Sequence, residues 1–443
     1  MSKNIYGTLE INGETFRFIF EGNYLRILQD DYHEISQKCF NYLKGDTVDY
    51  RNILFLDCEL VRRNFCVGFL FSVKGYVLSL ENVGELYDFK FDRITFYSEA
   101  LDTFYSPKNA IDRTKSDFGI TKQKNDWDGS MSIVLEPFSK TGITFGFENN
   151  TYCELNIERW VDIAENKESL GSLITTFSFV FNEKEGCDNI IKYYVYLYDF
   201  LVFMNYNKRI CFNKIYLEHK NSDGKYLKKA LVVIFNDEMK YEGNIFNTIT
   251  VDDIPKGKID AIFKKVTSLR NRTTRFDFYF PENYRERKYM DSNKWLTLAM
   301  CFEGLFNESY PNFKQEEKAS FKKVKQKILE NIETIEIQDF TNKEKKYFDE
   351  FKAYIDRNEG VLEEKFNYIL KKNKTLLSIT KEQNYGELFA EFRNKLAHGE
   401  KIEFNDDVKE IYNLLRKMVF ILLLSDIGLE EQEISNMLLK IFA

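Results

Sequence analysis

The sequence predicts an α+β multidomain protein, a β-rich N-terminal region followed by an all-helical bundle. Two observations carry that prediction. Apolar residues alternate with a period near two up to about Phe280, then recur at helical spacing to the end of the chain. At 443 residues with 44% hydrophobic content, the chain is long enough for two or three well-packed cores. The reading divides it into residues 1–150, 151–281 and 282–443, the first two β-rich and open to being one domain.

The β-rich region begins with a hairpin. Thr8–Ile11 and Thr15–Phe20 flank Asn12-Gly13, the dipeptide preferred in two-residue hairpin turns. Strand-like runs follow at Ile53–Leu56, Val67–Leu80, Arg93–Tyr97, Met131–Leu135 and Ile143–Phe147. A second β-rich part starts near Tyr152 and includes Leu173–Phe181, Arg209–Glu218 and Ala230–Phe235. Between its strands, Asp188–Asn205 carries Ile191, Tyr194, Val195, Leu197, Tyr198, Leu201 and Val202, the spacing of a helix packed on a sheet. The region closes with the strand pattern Arg275–Phe280, and Pro281-Glu282-Asn283 reads as the linker.

Beyond the linker the pattern is helical. Lys294–Ser309 carries Leu296, Met300, Phe302, Glu303 and Phe306; Glu316–Asn331 and Glu344–Asn373 form a middle pair. Tyr385–Glu400 places Leu388, Phe389, Phe392 and Leu396 on one stripe, and Gly399 is a natural helix stop. Val408–Ser425 is the apolar helix that follows. The fourth of these holds the most informative residues, Arg393-Asn394-Lys395-Leu396-Ala397-His398, an RNxxxH pattern that uses one of only three histidines. Asn394 and His398 are four apart and share a helix face. Arg393 and His398 stand roughly 140° apart around the axis, a gap that a long side chain spans to a common ligand. Arginine supplies a permanent, planar fork for phosphate oxygens. Histidine titrates near neutrality and moves protons. RNA brings its own nucleophile, the 2′-hydroxyl, so these groups suit metal-free strand scission. The same residues also suit a plain helix end, where cationic side chains favour the dipole.

The residues from about Asn283 to Ala443 resemble the HEPN superfamily, and more closely its ApeA-like group. The likeness rests on the first helix with Glu303, the middle pair, the segment Glu391–Gly399 with its unsubstituted RNxxxH, and the apolar helix after it. That resemblance implies a metal-independent endoribonuclease of bacterial anti-phage defence that works as a homodimer, bringing two motifs together. It implies that Arg393 binds the scissile phosphate, that His398 acts as general base or acid, and that Asn394 orients His398 or touches phosphate. Glu303 is a supporting candidate that pairs with Arg393, or else a surface carboxylate. The same likeness implies that the N-terminal region senses a trigger, of phage origin, and regulates the helical domain.

Composition narrows the alternatives. The net charge of −7 is not that of a protein that coats nucleic acid. Residues 282–443 hold 27 basic against 30 acidic side chains, so RNA would need a local positive groove. Lys318, Lys322 and Lys325, and Lys371, Lys372 and Lys374, form two such clusters or simply two solvated helix faces. The 41 Phe and 27 Tyr fill cores, with base stacking by one or two of them open. Seven scattered cysteines without CxxC spacing read as reduced thiols of a cytoplasmic protein. His33 and His219 have no second histidine nearby, so no metal or cofactor is expected. No leader precedes the first strand pattern, and the longest apolar run, Met418–Leu424, is too short to span a bilayer. Two other functions fit less well, a non-catalytic RNA-binding or dimerisation module and a protein-interaction adaptor.

Overall fold

The structure is a computed structural model that describes residues 4–28, 37–64, 68–80, 90–107, 120–124, 131–135, 142–148, 151–160, 172–235, 240–243, 245–269, 280–313, 319–335, 340–356, 362–379, 383–425 and 427–442. The chain packs as two units. One holds the strands and the first helices together with Phe280–Arg287 and the end of the chain from Leu439; the other holds Lys288–Leu438. The chain is therefore an α+β multidomain protein, with a β-rich, barrel-containing N-terminal region and a helical C-terminal region.

The first unit opens with a six-stranded antiparallel barrel. Its strands are β1 (Ile5–Ile11), β2 (Glu14–Glu21), β3 (Tyr24–Leu28), β4 (Cys39–Thr47), β5 (Asn52–Asn64) and β6 (Gly68–Ser79). Asn12 and Gly13 turn the first hairpin with φ of +55° and +84°, the left-handed pair that a type I′ turn requires. The ring runs β6-β3-β2-β1-β4-β5 and closes where β5 pairs with β6. Closure leaves no free edge and turns one face of every strand inward. Phe16, Phe18, Phe20, Leu25, Ile27, Phe55 and Phe71 fill the interior.

One strand joins the barrel to a second sheet. The first half of β6 pairs with β3, and its second half, Gly75–Ser79, pairs with β14 (Tyr226–Ile234). Gly75 permits the switch, because a Cβ there would lie 2.5 Å from the Val233 carbonyl oxygen. From β14 the order is β13 (Lys214–Lys220), β7 (Lys90–Tyr97), β12 (Ser172–Gly186), β11 (Thr151–Trp160) and β10 (Gly142–Gly146). A separate hairpin joins β8 (Ile120–Lys124) to β9 (Met131–Leu135). Helices α1 (Glu99–Phe104), α2 (Ile190–Asn205) and α3 (Ile259–Leu269) belong to the same unit, and α2 is the helix expected over Asp188–Asn205. Phe263 of α3 meets Phe145, Phe147, Phe177 and Phe179, each within about 6 Å between ring centres.

Five elements of this unit were absent from the sequence reading, β8 among them. β3 and α1 are too short to show a period. In β4 only Leu43 and Thr47 are buried, so the alternation is faint. α3 had a legible stripe, Ile259, Ile262, Phe263 and Val266, all buried. The strand expected over Arg209–Glu218 starts only at Lys214. The expected strand Arg275–Phe280 lies outside the described residues except for Phe280, as does His33.

The second unit is helical throughout. Its elements are α4 (Ser292–Ser309), α5 (Ala319–Glu333), α6 (Asn342–Asp356), α7 (Leu362–Lys372), the short α8 (Lys374–Leu377), α9 (Tyr385–Ala397) and α10 (Asp406–Leu423), with the start of α11 (Glu431–Phe442). The expected helix Glu344–Asn373 corresponds to α6 and α7; residues 357–361 between them lie outside the described residues. The last helix, α11, had not been anticipated. Asp291 and Asn405 cap α4 and α10 by accepting from the Lys294 and Val408 amides. Phe389 of α9 is fully buried among Trp295 and Phe302 of α4 and Phe366 of α7, with ring centres 5.5, 5.7 and 4.6 Å away. The run Met418–Leu424 is buried at every position. Among the described residues no helix is long and apolar enough to cross a membrane.

Truncating the shared ring of this core should be costly. Phe389→Ala is expected to lower the stability of the helical unit by about 3–5 kcal/mol, as large-to-small core changes do. Tyr347→Ala, at a side chain 57% exposed, should change it by less than about 0.5 kcal/mol. Urea unfolding curves of the two variants measure both.

Candidate functional site

The RNxxxH residues lie at the C-terminal end of α9, and local chemistry fixes where that helix starts, how close it sits and where it stops. Asn384 caps its start by accepting from the Glu387 amide. Gly386 then lets the helix press against α7: its amide donates to Asn367 Oδ1 at 3.1 Å, and an added Cβ would lie 2.5 Å from the Glu363 carbonyl oxygen. Tyr385 is buried, and its hydroxyl donates to Glu410 of α10 at 2.7 Å. At the other end the Gly399 amide donates to the Leu396 carbonyl and the Glu400 amide to the Lys395 carbonyl, at 3.0 and 2.9 Å. Gly399 has φ of +75°, so the pair of bonds is a Schellman stop. His398 is the residue immediately inside that stop, with its own amide bonded to the Asn394 carbonyl.

The side chains divide by depth. Arg393 is half-buried, 34% exposed, and its Nη2 lies 3.9 Å from Glu303 Oε2 on α4. Its Nη1 donates to Asn394 Oδ1 at 3.4 Å. Asn394 and His398 are exposed. The structure thus brings Arg393, Asn394 and Glu303 together. It gives the His398 ring no hydrogen bond or ion pair with any of them among the described residues.

Two further residues belong to this cluster and were missed by sequence reasoning. Lys365 of α7 is only 9% exposed, yet charged. Its Nζ lies 3.9 Å from Glu303 Oε1 and donates to Asn307 Oδ1 of α4 at 3.0 Å. Glu303 is therefore shared by two cations from two helices. The signal was present: Lys365 occupies the inner stripe of α7, between Leu362 and Phe366 and four before Ile369. A lysine in an apolar stripe implies a polar partner inside the bundle. Of the two lysine clusters, Lys371, Lys372 and Lys374 are exposed on α7 and α8, whereas Lys318 and the side chain of Lys322 lie outside the described residues. His219 Nε2 donates to the Lys90 carbonyl, 2.5 Å away, in the sheet of the first unit. Among the described residues no group of three or more His, Cys, Asp or Glu is placed to hold a metal ion.

Comparison with known proteins adds one finding. Residues 296–433 match the family model described as Apea-like HEPN, a span from within α4 to the first turn of α11. No curated protein and no solved structure matches the chain. Residues 296–433 thus carry an Apea-like HEPN domain, a family that supports a nuclease, RNA-related role in defence at the family level.

The close approach of α9 to α7 makes a sharp prediction. Alanine normally stabilises a helix by up to about 1 kcal/mol over glycine, but Gly386→Ala should instead destabilise the helical unit by about 1–3 kcal/mol through overpacking. Thermal unfolding decides the sign.

Proposed function

We propose that the helical unit is a metal-independent endoribonuclease of the HEPN type, acting in anti-phage defence in the cytoplasm. The observation that carries this reading is the intact Arg393, Asn394 and His398 at one helix end inside the matched segment, with Arg393 against Glu303. Arg393 supplies the phosphate clamp. Its contact with Glu303 is longer than a hydrogen bond, so a phosphate oxygen can take over the guanidinium. His398, with an exposed ring, removes the proton from the 2′-hydroxyl or returns one to the leaving oxygen. Asn394 orients the ring or touches the phosphate. The 2′-oxygen attacks phosphorus, the bond to the 5′-oxygen breaks, and that oxygen takes the proton. The products are a 2′,3′-cyclic phosphate and a 5′-hydroxyl, with no cofactor or metal required.

One protomer offers a single clamp and a single proton carrier that do not touch. We therefore take the working form to be a homodimer, in which two such helix ends face one RNA strand. The β-rich unit is the regulator in this reading, answering to a trigger of phage origin.

The test is cleavage of RNA by the full chain with chelator present. Arg393→Ala and His398→Ala should each lower the rate by at least about 100-fold, the scale of lost acid–base catalysis. End-group analysis should find cyclic phosphates. Binding of RNA with no new ends, unchanged by His398→Ala, would leave a binding module instead. Specific activity should also fall on dilution through the dimer dissociation range.

A further inference from the structure

The end of α4, the residues that follow it and α7 border an open groove of about 810 Å³. Its walls include Tyr310, Phe313, Tyr368, Glu364 and Lys371. Four aromatic rings meet there. Tyr368 lies 5.1 Å from both Tyr310 and Phe313, and Phe306 packs beneath all three at 5.0–6.0 Å. Phe306 is fully buried and acts as a floor, whereas Tyr368 keeps 38% of its surface exposed. A cation is already seated on this cluster: Lys372 Nζ donates to the Tyr310 hydroxyl at 2.9 Å and stands 4.8 Å from its ring centre.

The groove and the Arg393 cluster share two helices, α4 and α7. Asn307, which holds Lys365, is three residues before Tyr310 on α4; Lys365 is three residues before Tyr368 and seven before Lys372 on α7. These spacings place Lys365, Tyr368 and Lys372 along one helix face, about 10 Å from end to end. Along α7, lysines therefore recur from the nearly buried Lys365 to the exposed Lys371 and Lys372, with the exposed Tyr368 between them. Core packing explains Phe306 but not the exposed Tyr368 beside two exposed lysines in a region of net negative charge. That alternation of π-face and cation is what a single nucleic-acid strand needs, since every base stacks and every linkage carries charge.

We propose that this groove is a base-binding subsite for single-stranded RNA, in which an unpaired base stacks on Tyr368 while Lys371 and Lys372 hold the adjoining phosphates. Glu364 at the rim accepts from the amino group that adenine, guanine or cytosine presents. The inference rests on the ribonuclease reading and names where the strand lies beside the cleavage site.

The test uses the full-length His398→Ala chain and a fluorescein-labelled single-stranded RNA of twelve nucleotides, read by anisotropy. Adding Tyr368→Ala should weaken binding about 5- to 100-fold, the loss of one stacked base. Adding Tyr368→Phe, which keeps the ring, should leave it within about twofold. Lys371→Gln with Lys372→Gln should flatten the salt dependence by about two phosphate contacts. Equal binding by the alanine variant and its parent would overturn the subsite. In the active chain, Tyr368→Ala should raise KM; cleavage with unchanged KM would remove the subsite and leave the ribonuclease standing. A parent chain that neither binds nor cleaves RNA would remove both. Circular dichroism of each variant separates these outcomes from misfolding.

Discussion

The burial of Phe389 sets the rotation of α9, and everything polar at the candidate site follows from that rotation. Its ring has no room to turn, being closed in by Trp295, Phe302 and Phe366. Four residues later the helix has advanced by about 40°, which puts Arg393 at the margin of the buried stripe. There it meets Glu303 rather than water. One more residue carries Asn394 outward, and the next turn carries His398 outward with it. The depth of each functional group is thus a consequence of a hydrophobic anchor that has no chemistry of its own. Gly386 and the Gly399 stop fix the remaining freedoms, the distance of the helix from α7 and the point where it ends.

Glu303 shows how a bundle can keep a cation ready. It serves Lys365, which is nearly buried, and Arg393, which is not, at 3.9 Å each. A tighter pair would hold Arg393 away from a ligand, and a missing pair would leave the guanidinium uncompensated while half out of water. Lys365 has Asn307 as a second anchor and stays in place if Glu303 shifts. The asymmetry favours exchange at Arg393. On the ribonuclease reading, an incoming phosphate replaces the carboxylate there with a bidentate partner of like charge, and Glu303 retains its lysine.

The helical site was legible because its signals are local. A stripe through Leu388, Phe389, Phe392 and Leu396 and a glycine after His398 fall within the sixteen residues Tyr385–Glu400, so period and punctuation agree. The barrel was legible only in part. Asn12-Gly13 announces one hairpin, but the pairings β1–β4 and β3–β6 join strands with two others between them in sequence and leave no local trace. Likewise nothing in the run from Gly68 to Ser79 tells that its two halves serve two sheets. Lys365 lies between these extremes. Its place in an apolar stripe was visible, but its partners sit on a helix nearly sixty residues away in sequence, and only packing brings them together.

An acidic chain is a strange vessel for RNA cleavage until the range of the forces is considered. Exposed charges more than about 8 Å apart are screened at physiological salt. The net negative charge of the helical region therefore does not cancel a clamp that acts at contact distance, and it suppresses the loose, sequence-blind binding that a basic surface would invite. On the ribonuclease reading, affinity must come from a few phosphates and from stacking, both of which demand an unpaired strand. That requirement selects single-stranded over duplex RNA without any base readout, because a paired base has no free face to offer Tyr368. It also makes weak binding by a single protomer a feature of the arrangement. In the proposed homodimer two helix ends double the clamps and the proton carriers at once, which on that reading makes association of protomers, rather than substrate concentration, the variable that controls cleavage.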